Sequence, residues 1–324
     1  MTCKLLTALV ILLYFRPDDA YGWVEMPQYN LQGKFGNKSW VGYALNMTSL
    51  RWLTDADFAP NSDVKSLWWH YLFVIVPNDV KWLNNGTLWI TGFSNTNAPP
   101  NTDSEDIITA AALAMSTGII TGSLFQVCLL FVHPYVVTFL IWLSTYIYIM
   151  LQIPNEHIIF AADPKKQSRT EDAVIAYTWD HFLRDTTQPE WLVRFPMVKA
   201  SVRAMDAMKE FCQYKFPEMG TSLDYFGVSG ASKRGWTTWL VGAVDPSRVM
   251  LIIPVVLDAI NFVAVEHHEF KSYGAWSFAL TDYADMEIMT RIDDPNMLLL
   301  QQMEDPYFYR FIVYSLKYAV NSTC

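Results

Sequence analysis

A serine inside a glycine-rich turn is the residue of this sequence that could most directly carry out chemistry. The stretch 224–235 reads DYFGVSGASKRG, an apolar run that ends in glycines around two serines. A serine at a sharp turn from a strand into a helix is typical of a nucleophile elbow, which lifts the hydroxyl clear of the sheet. Gly230 and Gly235, two residues before and three after Ser232, would let the strand and the helix approach closely. Ser232 fits the turn, whereas Ser229 belongs to the end of the strand.

The chemistry that such a turn supports is nucleophilic attack on an ester or peptide carbonyl. The amino end of the following helix and the Lys233 backbone N–H would face the negative charge that develops on the carbonyl oxygen. The serine also needs a base within hydrogen-bond reach and an acid that orients the base. The second glycine comes one residue later than in the common G-x-S-x-G spacing, so a glycine-rich turn with an idle serine is the alternative interpretation.

The elements around this turn alternate between short apolar runs and longer amphipathic runs, from about Tyr71 onward. Short β-branched runs predict buried strands, and the longer runs predict helices. Alternation of the two is typical of a parallel sheet that is covered on both faces. The predicted strands are 71–77, 87–91, 157–162, 225–228 and 249–257, and the predicted helices are 109–120, 171–183, 197–211 and 233–244.

The composition bounds the class of protein. The chain has 324 residues, of which 52% are hydrophobic and 17% charged, so we expect a sizeable core and no extended disorder. The formal net charge of −9 argues against nucleic-acid binding, which needs a basic surface. The four cysteines have unrelated spacings, so the sequence predicts neither a disulfide framework nor a zinc site. We expect no metal ion and no cofactor.

The first residues predict an export signal. Lys4 precedes the apolar run 5–15, which is too short to span a bilayer, and Ala20 and Gly22 are small residues where a signal peptidase would cut. We therefore expect a leader at 1–22 and a mature, secreted domain at 23–324, with a buried first helix as the alternative. Four glycosylation sequons agree with export, and they begin at Asn37, Asn46, Asn85 and Asn321.

Longer motifs resemble the PhoPQ-activated pathogenicity-related family over most of the chain from about residue 43. The motifs are NMTSLRWLTD, LWWHYLFVIVP, ITGFSN, RTEDAVIAYTW, PMVKASVRAMD, GASKRGWTTWLVGAVDPSRV, IPVVLDAIN, YGAWSFALTDY and EDPYFYR. The resemblance implies an α/β-hydrolase-type fold, a mostly parallel sheet with helices on both faces, related to secreted or periplasmic serine peptidases and esterases. It places Ser232 on the family's nucleophile. It also places Gly92 and Phe93 on the loop of a second oxyanion donor, where the family usually has two glycines.

An apolar segment at 127–152 interrupts this resemblance, because its removal joins SLFQ to IPNEHIIF as in the family. The segment is long enough to cross a membrane, but Pro134 interrupts it and neither end carries a nearby lysine or arginine. Valine codons begin with GT and one glutamine codon ends with AG, so the segment also fits a translated intron. A family-specific buried insert is the third interpretation. We expect contact with a membrane only if this segment spans one.

The end of the chain also departs from the family. KYAVNST at 317–323 resembles the family's late strand, which runs into a glycine–aspartate turn with the catalytic acid, and a catalytic histidine follows later. The chain stops at Cys324. We therefore expect a domain that is truncated at its carboxyl end, in which Ser232 has lost its inherited acid and base and is inactive.

Three residues could substitute for the missing acid and base. Asp258 ends a predicted strand just after the helix that follows Ser232, and His267 and His268 lie close by in the sequence. A metal site built from these histidines and their glutamate neighbours is disfavoured, because adjacent helical side chains diverge.

Three functions remain open from the sequence. The chain could be a secreted serine hydrolase with a peptide or ester substrate. It could be a non-catalytic signalling or binding protein on the same scaffold, with a cell-surface partner. The third is a membrane-tethered variant held by 127–152.

Overall fold

A mixed β-sheet forms the centre of the protein in its computed structural model. The structure describes residues 19–92, 94–125, 155–257, 260–313 and 318–319. The described strands are β1 (Gly22–Glu25), β2 (Leu31–Phe35), β3 (Lys38–Arg51), β4 (Leu67–Pro77), β5 (Asn85–Ile90), β6 (Ile120–Phe125), β7 (Tyr225–Ala231), β8 (Val249–Val255) and β9 (Tyr318–Ala319). The described helices are α1 (Glu105–Thr117), α2 (Glu171–Arg184), α3 (Arg194–Lys215), α4 (Lys233–Val244), α5 (Phe262–Tyr273), α6 (Thr281–Asp285), α7 (Pro295–Glu304) and α8 (Pro306–Val313).

The strand order is β1-β3-β4-β6-β5-β7-β8-β9. In addition, β2 pairs antiparallel with the first part of β3, at residues 38–42, and β1 pairs with β3 at residues 45–48. The pairs at the β1 end of the sheet, as far as β4 with β6, are antiparallel. The strands β6, β5, β7, β8 and β9 all run parallel. This arrangement confirms the predicted α/β-hydrolase-type sheet, and it puts the carboxyl ends of β5 and β7 side by side.

Helices cover both faces of this sheet, as predicted. Side chains of β4 alternate between two cores, because successive residues of a strand point to opposite faces. Leu72 and Val74 belong to the larger core, which includes residues of α3 and α4. Phe73 and Ile75 belong to the smaller core, which includes the buried face of α1.

Most of the predicted elements are observed, with two corrections. The helix predicted at 109–120 instead runs from Glu105 to Thr117, because Gly118 ends it in the left-handed conformation at φ 74°. The strand predicted at 157–162 is wrong, since that segment forms only isolated bridges at Ile158 and Phe160. The chain there pairs with two separate loop segments and not with the sheet, although both side chains are buried.

The antiparallel strands β1 to β3 and the strand β6 were not predicted. The β3 sequence KSWVGYALNMTSLR mixes glycine and polar residues with apolar ones, which obscures its alternation. The β6 sequence ITGSLF is buried at every position but contains a glycine and a serine. Neither run is as continuously apolar as β4, LWWHYLFVIVP, which explains why the sequence pattern did not predict these strands.

Several predictions fall on residues that the structure does not describe. These are most of the leader 1–22, the apolar insert 127–152, and the single residues Phe93, Asp258 and Asn321. Among the described residues, no helix combines the length and the apolar character that a membrane span requires.

A group of buried side chains connects α4 to the helices α2, α3 and α7. We call this group the Arg194 cluster (Trp179, Arg194, Trp236 and Glu304). The Glu304 carboxylate accepts a hydrogen bond from Trp179 Nε1 at 2.6 Å and lies 3.4 Å from Arg194 Nε. The Arg194 guanidinium lies 4.0 Å from the centre of the Trp236 ring. Trp236 in turn donates to the backbone carbonyl of Glu304 at 2.5 Å. These contacts join α2, α3, α4 and α7 at one point.

Candidate active site

Ser232 occupies the junction between β7 and α4. It is the N-cap residue of α4, with φ 56° and ψ −120°. Its backbone N–H donates to the carbonyl of Val255 at 2.9 Å, and its own carbonyl accepts from Trp236 N at 3.0 Å. A residue with a side chain rarely adopts a positive φ, so the neighbouring strand and helix hold this conformation in place. The predicted strand–turn–helix geometry is therefore present, and the nucleophilic role of Ser232 stays a prediction.

The two glycines beside Ser232 are required by close approach of the backbone. A Cβ on Gly230 would lie 2.8 Å from the Arg234 Cβ and 3.1 Å from the Ile90 carbonyl oxygen. A Cβ on Gly235 would lie 3.0 Å from the carbonyl oxygen of Val255. Gly230 of β7 thus lies against Arg234 of α4, and Gly235 of α4 lies against the end of β8, so the second glycine is needed three residues after the serine.

The two serines of the turn have different surroundings. Ser229 Oγ donates to the carbonyl of Ile253 at 2.7 Å and so belongs to the β7–β8 pair. Ser232 is half-buried, and its Oγ has no hydrogen-bond partner among the described residues. Of these two serines, only Ser232 has a hydroxyl that is free of a hydrogen bond to a described residue.

Two of the three predicted oxyanion donors, Lys233 and Gly92, lie at the same edge of the sheet as Ser232. Lys233 is the first residue of α4, so its backbone N–H belongs to the unpaired amino end of that helix. Ile90, the last residue of β5, pairs in register with Gly230 of β7, and the buried Gly92 follows two residues later. Gly92 is thereby placed beside the turn. Phe93 lies outside the described residues.

The side chain of Lys233 forms ion pairs with acidic residues of α2. Its Nζ lies 2.5 Å from Asp172 Oδ2 and 3.2 Å from Glu171 Oε2, both in the first turn of α2. Tyr283 donates to the other oxygen of Asp172 at 3.0 Å. Burial raises the pKa of Glu171, and the nearby Lys233 charge opposes that rise. Because the ammonium is held in this way, Lys233 can serve a substrate through its backbone N–H.

A buried group of charges surrounds the start of α4, and we call it the elbow charge cluster (Glu156, Glu171, Asp172, Lys233 and Arg234). Arg234 is 1% exposed, and none of its side-chain nitrogens has a hydrogen-bond partner among the described residues. Burial lowers the pKa of Arg234 to about 10, while the charges of Glu171, Asp106 and Glu156 oppose that shift. The guanidinium is therefore stabilised by the field of several carboxylates and not by a direct partner.

Glu156 is the most perturbed carboxyl group of this cluster. Its Oε2 accepts the backbone N–H of Glu171 at 2.8 Å, and its Oε1 has no partner among the described residues. Burial raises the pKa of Glu156 to about 8, and the charge of Glu171 adds to the rise. The group carries a proton at neutral pH. Sequence reasoning missed Glu156 and Arg234, because no pattern of residue types signals a buried charge.

The candidate acid and base residues are not joined to Ser232 in the described part of the chain. His267 Nε2 lies 2.8 Å from Asp293 Oδ1, and His268 is exposed on the same helix α5. Neither histidine forms a hydrogen bond with Ser232. Asp258 lies outside the described residues, so its role stays a prediction.

The other described histidines are occupied elsewhere. His70 is fully buried, contacts Ser49 Oγ at 2.8 Å, and has its pKa lowered to about 3 by burial. His157 lies 3.4 Å from Asp63, and His181 stacks on a tryptophan ring. In the part of the chain that the structure describes, no group of three or more histidine, cysteine or acidic residues is arranged to hold a metal ion.

Comparison with known proteins assigns the chain to a family. The model of the PhoPQ-activated pathogenicity-related protein family matches residues 23–132 and 141–324. The chain belongs to that family. The match begins directly after the predicted leader, and the unmatched residues 133–140 lie inside the apolar insert 127–152.

A curated relative agrees with this assignment to the PhoPQ-activated pathogenicity-related family. The chain is 34% identical over 296 residues to autocrine proliferation repressor protein A of Dictyostelium discoideum. The aligned region covers 91% of this chain and 50% of the relative. The chain therefore spans half the length of the curated relative that it matches.

Solved structures with a similar course of the chain include several esterases. Acetyl xylan esterase 1 from a Thermoanaerobacterium species is 12% identical, with a TM-score of 0.41, and the match covers 98% of this chain and 84% of that one. An acetyl xylan esterase from a Paenibacillus species is 10% identical, with a TM-score of 0.37, 99% coverage of this chain and 89% of that one. These likenesses are too distant to indicate a substrate.

Proposed function

We propose that Ser232 is the nucleophile of a serine hydrolase site that acts on ester or peptide bonds. The observation that carries the proposal is the positive φ of Ser232 at the junction of β7 and α4. Holding a residue there costs about 1–3 kcal/mol, which a fold retains where the geometry serves a function. Membership of the PhoPQ-activated pathogenicity-related family supports the same conclusion.

The proposed reaction begins with attack of Ser232 Oγ on the substrate carbonyl carbon. A base accepts the hydroxyl proton as the bond forms, and later returns it to the leaving group. The carbonyl oxygen becomes negative and is stabilised by the backbone N–H groups of Lys233 and Gly92. Lys233 Nζ binds both acidic residues at the start of α2, which keeps its side chain away from the carbonyl oxygen that its backbone N–H serves.

We further propose that hydrolysis by this chain is slow. Ser232 Oγ forms no hydrogen bond with a histidine among the described residues, so no general base is paired with it there. A serine hydrolase without triad partners keeps only oxyanion stabilisation and binding, a loss of roughly 10⁴ to 10⁶ in turnover. The same observation favours a second candidate function, a non-catalytic extracellular protein that binds a peptide or a cell-surface partner.

Replacement of the two serines tests the catalytic proposal. We expect slow labelling by a fluorophosphonate probe and slow hydrolysis of p-nitrophenyl esters. Both should disappear in Ser232→Ala and persist in the matched control Ser229→Ala. Labelling that survives in Ser232→Ala would contradict the proposal, and complete absence of labelling in the wild type would favour the binding function. Fast hydrolysis that depends on Ser232 would contradict the proposed slow rate and would direct mutagenesis to Asp258, His267 and His268.

We also propose that the mature protein is a secreted glycoprotein without residues 1–22. Asn37 lies in the turn between β2 and β3, and both Asn37 and Asn46 are exposed, which makes them accessible acceptors. The alternative is a membrane-tethered protein, which requires that 127–152 spans the bilayer. Treatment of secreted material with an N-glycosidase should increase its gel mobility, and unchanged mobility would count against the glycoprotein.

A further inference from the structure

The hairpin between β2 and β3 presents an aromatic side chain to solvent at its turn. Phe35, the last residue of β2, pairs with Lys38, the first residue of β3, so Gly36 and Asn37 alone form the turn. Gly36 has φ 62°, whereas Asn37 is not among the residues with a positive φ, as in the type II′ turns that join two antiparallel strands. The hairpin therefore ends in a tight two-residue turn.

Contacts of β3 fix this turn against the body of the protein. Lys38 Nζ donates to the backbone carbonyl of Met115, near the end of α1, at 2.7 Å. The Ser39 N–H donates to Asn78 Oδ1 at 2.9 Å, and the Asn78 N–H donates to the Ser39 carbonyl at 2.9 Å. Because the ammonium of Lys38 is bound at α1, the residue opposite Phe35 leaves the Phe35 ring uncovered.

The Phe35 side chain lies in solvent. It is 81% exposed and belongs to neither of the two cores. A single exposed apolar residue is common on protein surfaces and does not by itself indicate a ligand. The residues of the turn supply a second observation.

That second observation is a glycosylation sequon in the turn itself. The residues Asn37-Lys38-Ser39 have the Asn-x-Ser pattern, and Asn37 is exposed. Asn37 follows Phe35 by two residues, so their Cα atoms are at most about 7 Å apart. The first sugar of an N-linked glycan is bonded to the asparagine amide nitrogen, and a glycan on Asn37 therefore begins within reach of the Phe35 ring.

The sugar at that position, N-acetylglucosamine, has a surface that complements an aromatic ring. One face of its pyranose ring carries C–H groups, which have a partial positive charge, and the face of an aromatic ring is negative. Contact between the two faces also removes apolar area from water. The hydroxyl and amide groups at the edge of the sugar stay in water, so the contact buries no unpaired polar group.

The sequon at Asn46 has different surroundings. Asn46 lies inside β3, where it pairs with Val24 of β1 and Tyr71 of β4. Val24 is 69% exposed but has no ring, and Tyr71 is half-buried against Trp69, with the ring centres 5.2 Å apart. Val24 is therefore a matched control for Phe35, because it is an exposed apolar side chain beside a sequon that cannot stack on a sugar.

We infer that Phe35 is an intramolecular carbohydrate-binding residue, whose ring packs against the first N-acetylglucosamine of a glycan on Asn37. The glycan covers the ring, and the ring holds the glycan against the hairpin. This contact rests on the proposed secretion of the chain, because Asn37 meets the glycosylating enzyme only in the secretory pathway. It extends that proposal by naming the sequon that carries a structural glycan and the side chain that receives it.

Thermal unfolding of four chains secreted from eukaryotic cells tests the contact. The chains are the wild type, Phe35→Ala, Asn37→Gln and the double variant, and both positions are exposed, so all four should fold. Asn37→Gln should lower Tm by about 2 °C when Phe35 is present and should leave Tm unchanged in Phe35→Ala. The same four chains from bacteria, which do not attach this glycan, should show no such dependence. Equal shifts in the two secreted backgrounds would overturn the inference, because the glycan would then act without the ring.

The rate of enzymatic deglycosylation of the native protein gives a second readout. A glycosidase that cuts the bond between asparagine and the first sugar needs access to that sugar, which the Phe35 ring restricts. Phe35→Ala should therefore speed glycan release from Asn37 about fivefold, the factor expected of one aromatic contact, whereas Val24→Ala should leave this rate unchanged. Mass spectrometry of the Asn37 peptide follows the release. A rate that is the same in the wild type and Phe35→Ala would contradict the contact.

A second expression separates failure of this contact from failure of the proposed export. The full chain is produced in eukaryotic cells as it stands, and also with a foreign export signal placed before Met1. A glycan at Asn37 in the second product alone would refute the proposed leader at 1–22, and the four-chain comparison is then made with that signal. Absence of a glycan from Asn37 in both products would overturn the inference.

Discussion

Two buried arginines lie close to the helix α4, and their surroundings differ. Arg194 is the first residue of α3. Its guanidinium lies 3.4 Å from the Glu304 carboxylate, 3.4 Å from the Lys233 carbonyl oxygen and 4.0 Å from the centre of the Trp236 ring. Arg234, on the helix itself, has no hydrogen-bond partner for any side-chain nitrogen among the described residues. Both are at most 1% exposed. Burial alone therefore does not distinguish their roles.

The difference separates a structural ion pair from a charge that acts at a distance. The Arg194 cluster joins four helices through directed contacts, which require one geometry. Arg234 instead offsets the charge of Glu171 from a distance, and it lies near Glu156, which burial keeps protonated. We interpret the Arg194 cluster as the support of α4, and the elbow charge cluster as the source of the electrostatic field beside Ser232.

The largest expected effect on stability comes from removing the charge of Arg194 from the Arg194 cluster. Arg194→Met leaves Glu304 buried without its counter-charge, so the free energy of unfolding should fall by about 3–5 kcal/mol. Arg234→Met removes a charge that has no direct partner and should cost less than half as much. Urea unfolding at pH 7 measures both variants.

A double variant sharpens this contrast. Arg194→Met combined with Glu304→Leu removes both charges of the buried pair and should recover most of the loss, because neither group is then left uncompensated. Equal losses for Arg194→Met and Arg234→Met would contradict the separation of the two regions.

The next effect is a pH dependence of stability that arises from Glu156. Folded Glu156 keeps its proton up to about pH 8, whereas an unfolded glutamate loses it near its ordinary value of 4.5, so the folded state binds more protons between these values. The contribution of this group is fully present below about pH 4.5 and is lost as the pH rises through about 8. Between these pH values the free energy of unfolding should therefore decrease by at most about 1.4 kcal/mol per pH unit because of Glu156. The variant Glu156→Gln should not show this decrease.

Urea unfolding of Glu156→Gln and the wild type from pH 5 to pH 8 measures this difference. The free energy of unfolding of Glu156→Gln, relative to that of the wild type, should increase as the pH rises. Parallel profiles for the two proteins would show that Arg234 and its neighbours keep Glu156 ionised, and would contradict the raised pKa.

The smallest effect concerns the strained turn itself. Ser232→Gly and Ser232→Ala both remove the hydroxyl, but only glycine adopts a positive φ without strain, so the glycine variant should be more stable by about 1 kcal/mol. At Ser229, inside β7, the order should reverse, because glycine weakens the interior of a strand. Thermal unfolding compares the four variants, and the same order at both positions would exclude strain at Ser232.

The sequence by itself determined the turn and the elements next to it. The helix predicted at 233–244 is observed with the same bounds, and the strand before it was predicted in part, because both depend on local periodicity. Gly230 could also be interpreted from the sequence, since it lies against Arg234 of the helix that directly follows its strand, whereas Gly235 lies against the next strand, β8. These features involve residues close together in the chain.

Only the tertiary structure decided which charges surround that turn. Glu156 and Glu171 come from segments far from Arg234 in the sequence, and the crossover of the sheet brings them together at one edge. The same is true of Gln301, on α7, and Asn261, the residue before α5, which line one pocket. The pKa of a buried group, and the energetic cost of an unpaired acceptor, depend on burial and on neighbours from distant segments. Residue types along the chain do not indicate either of these surroundings.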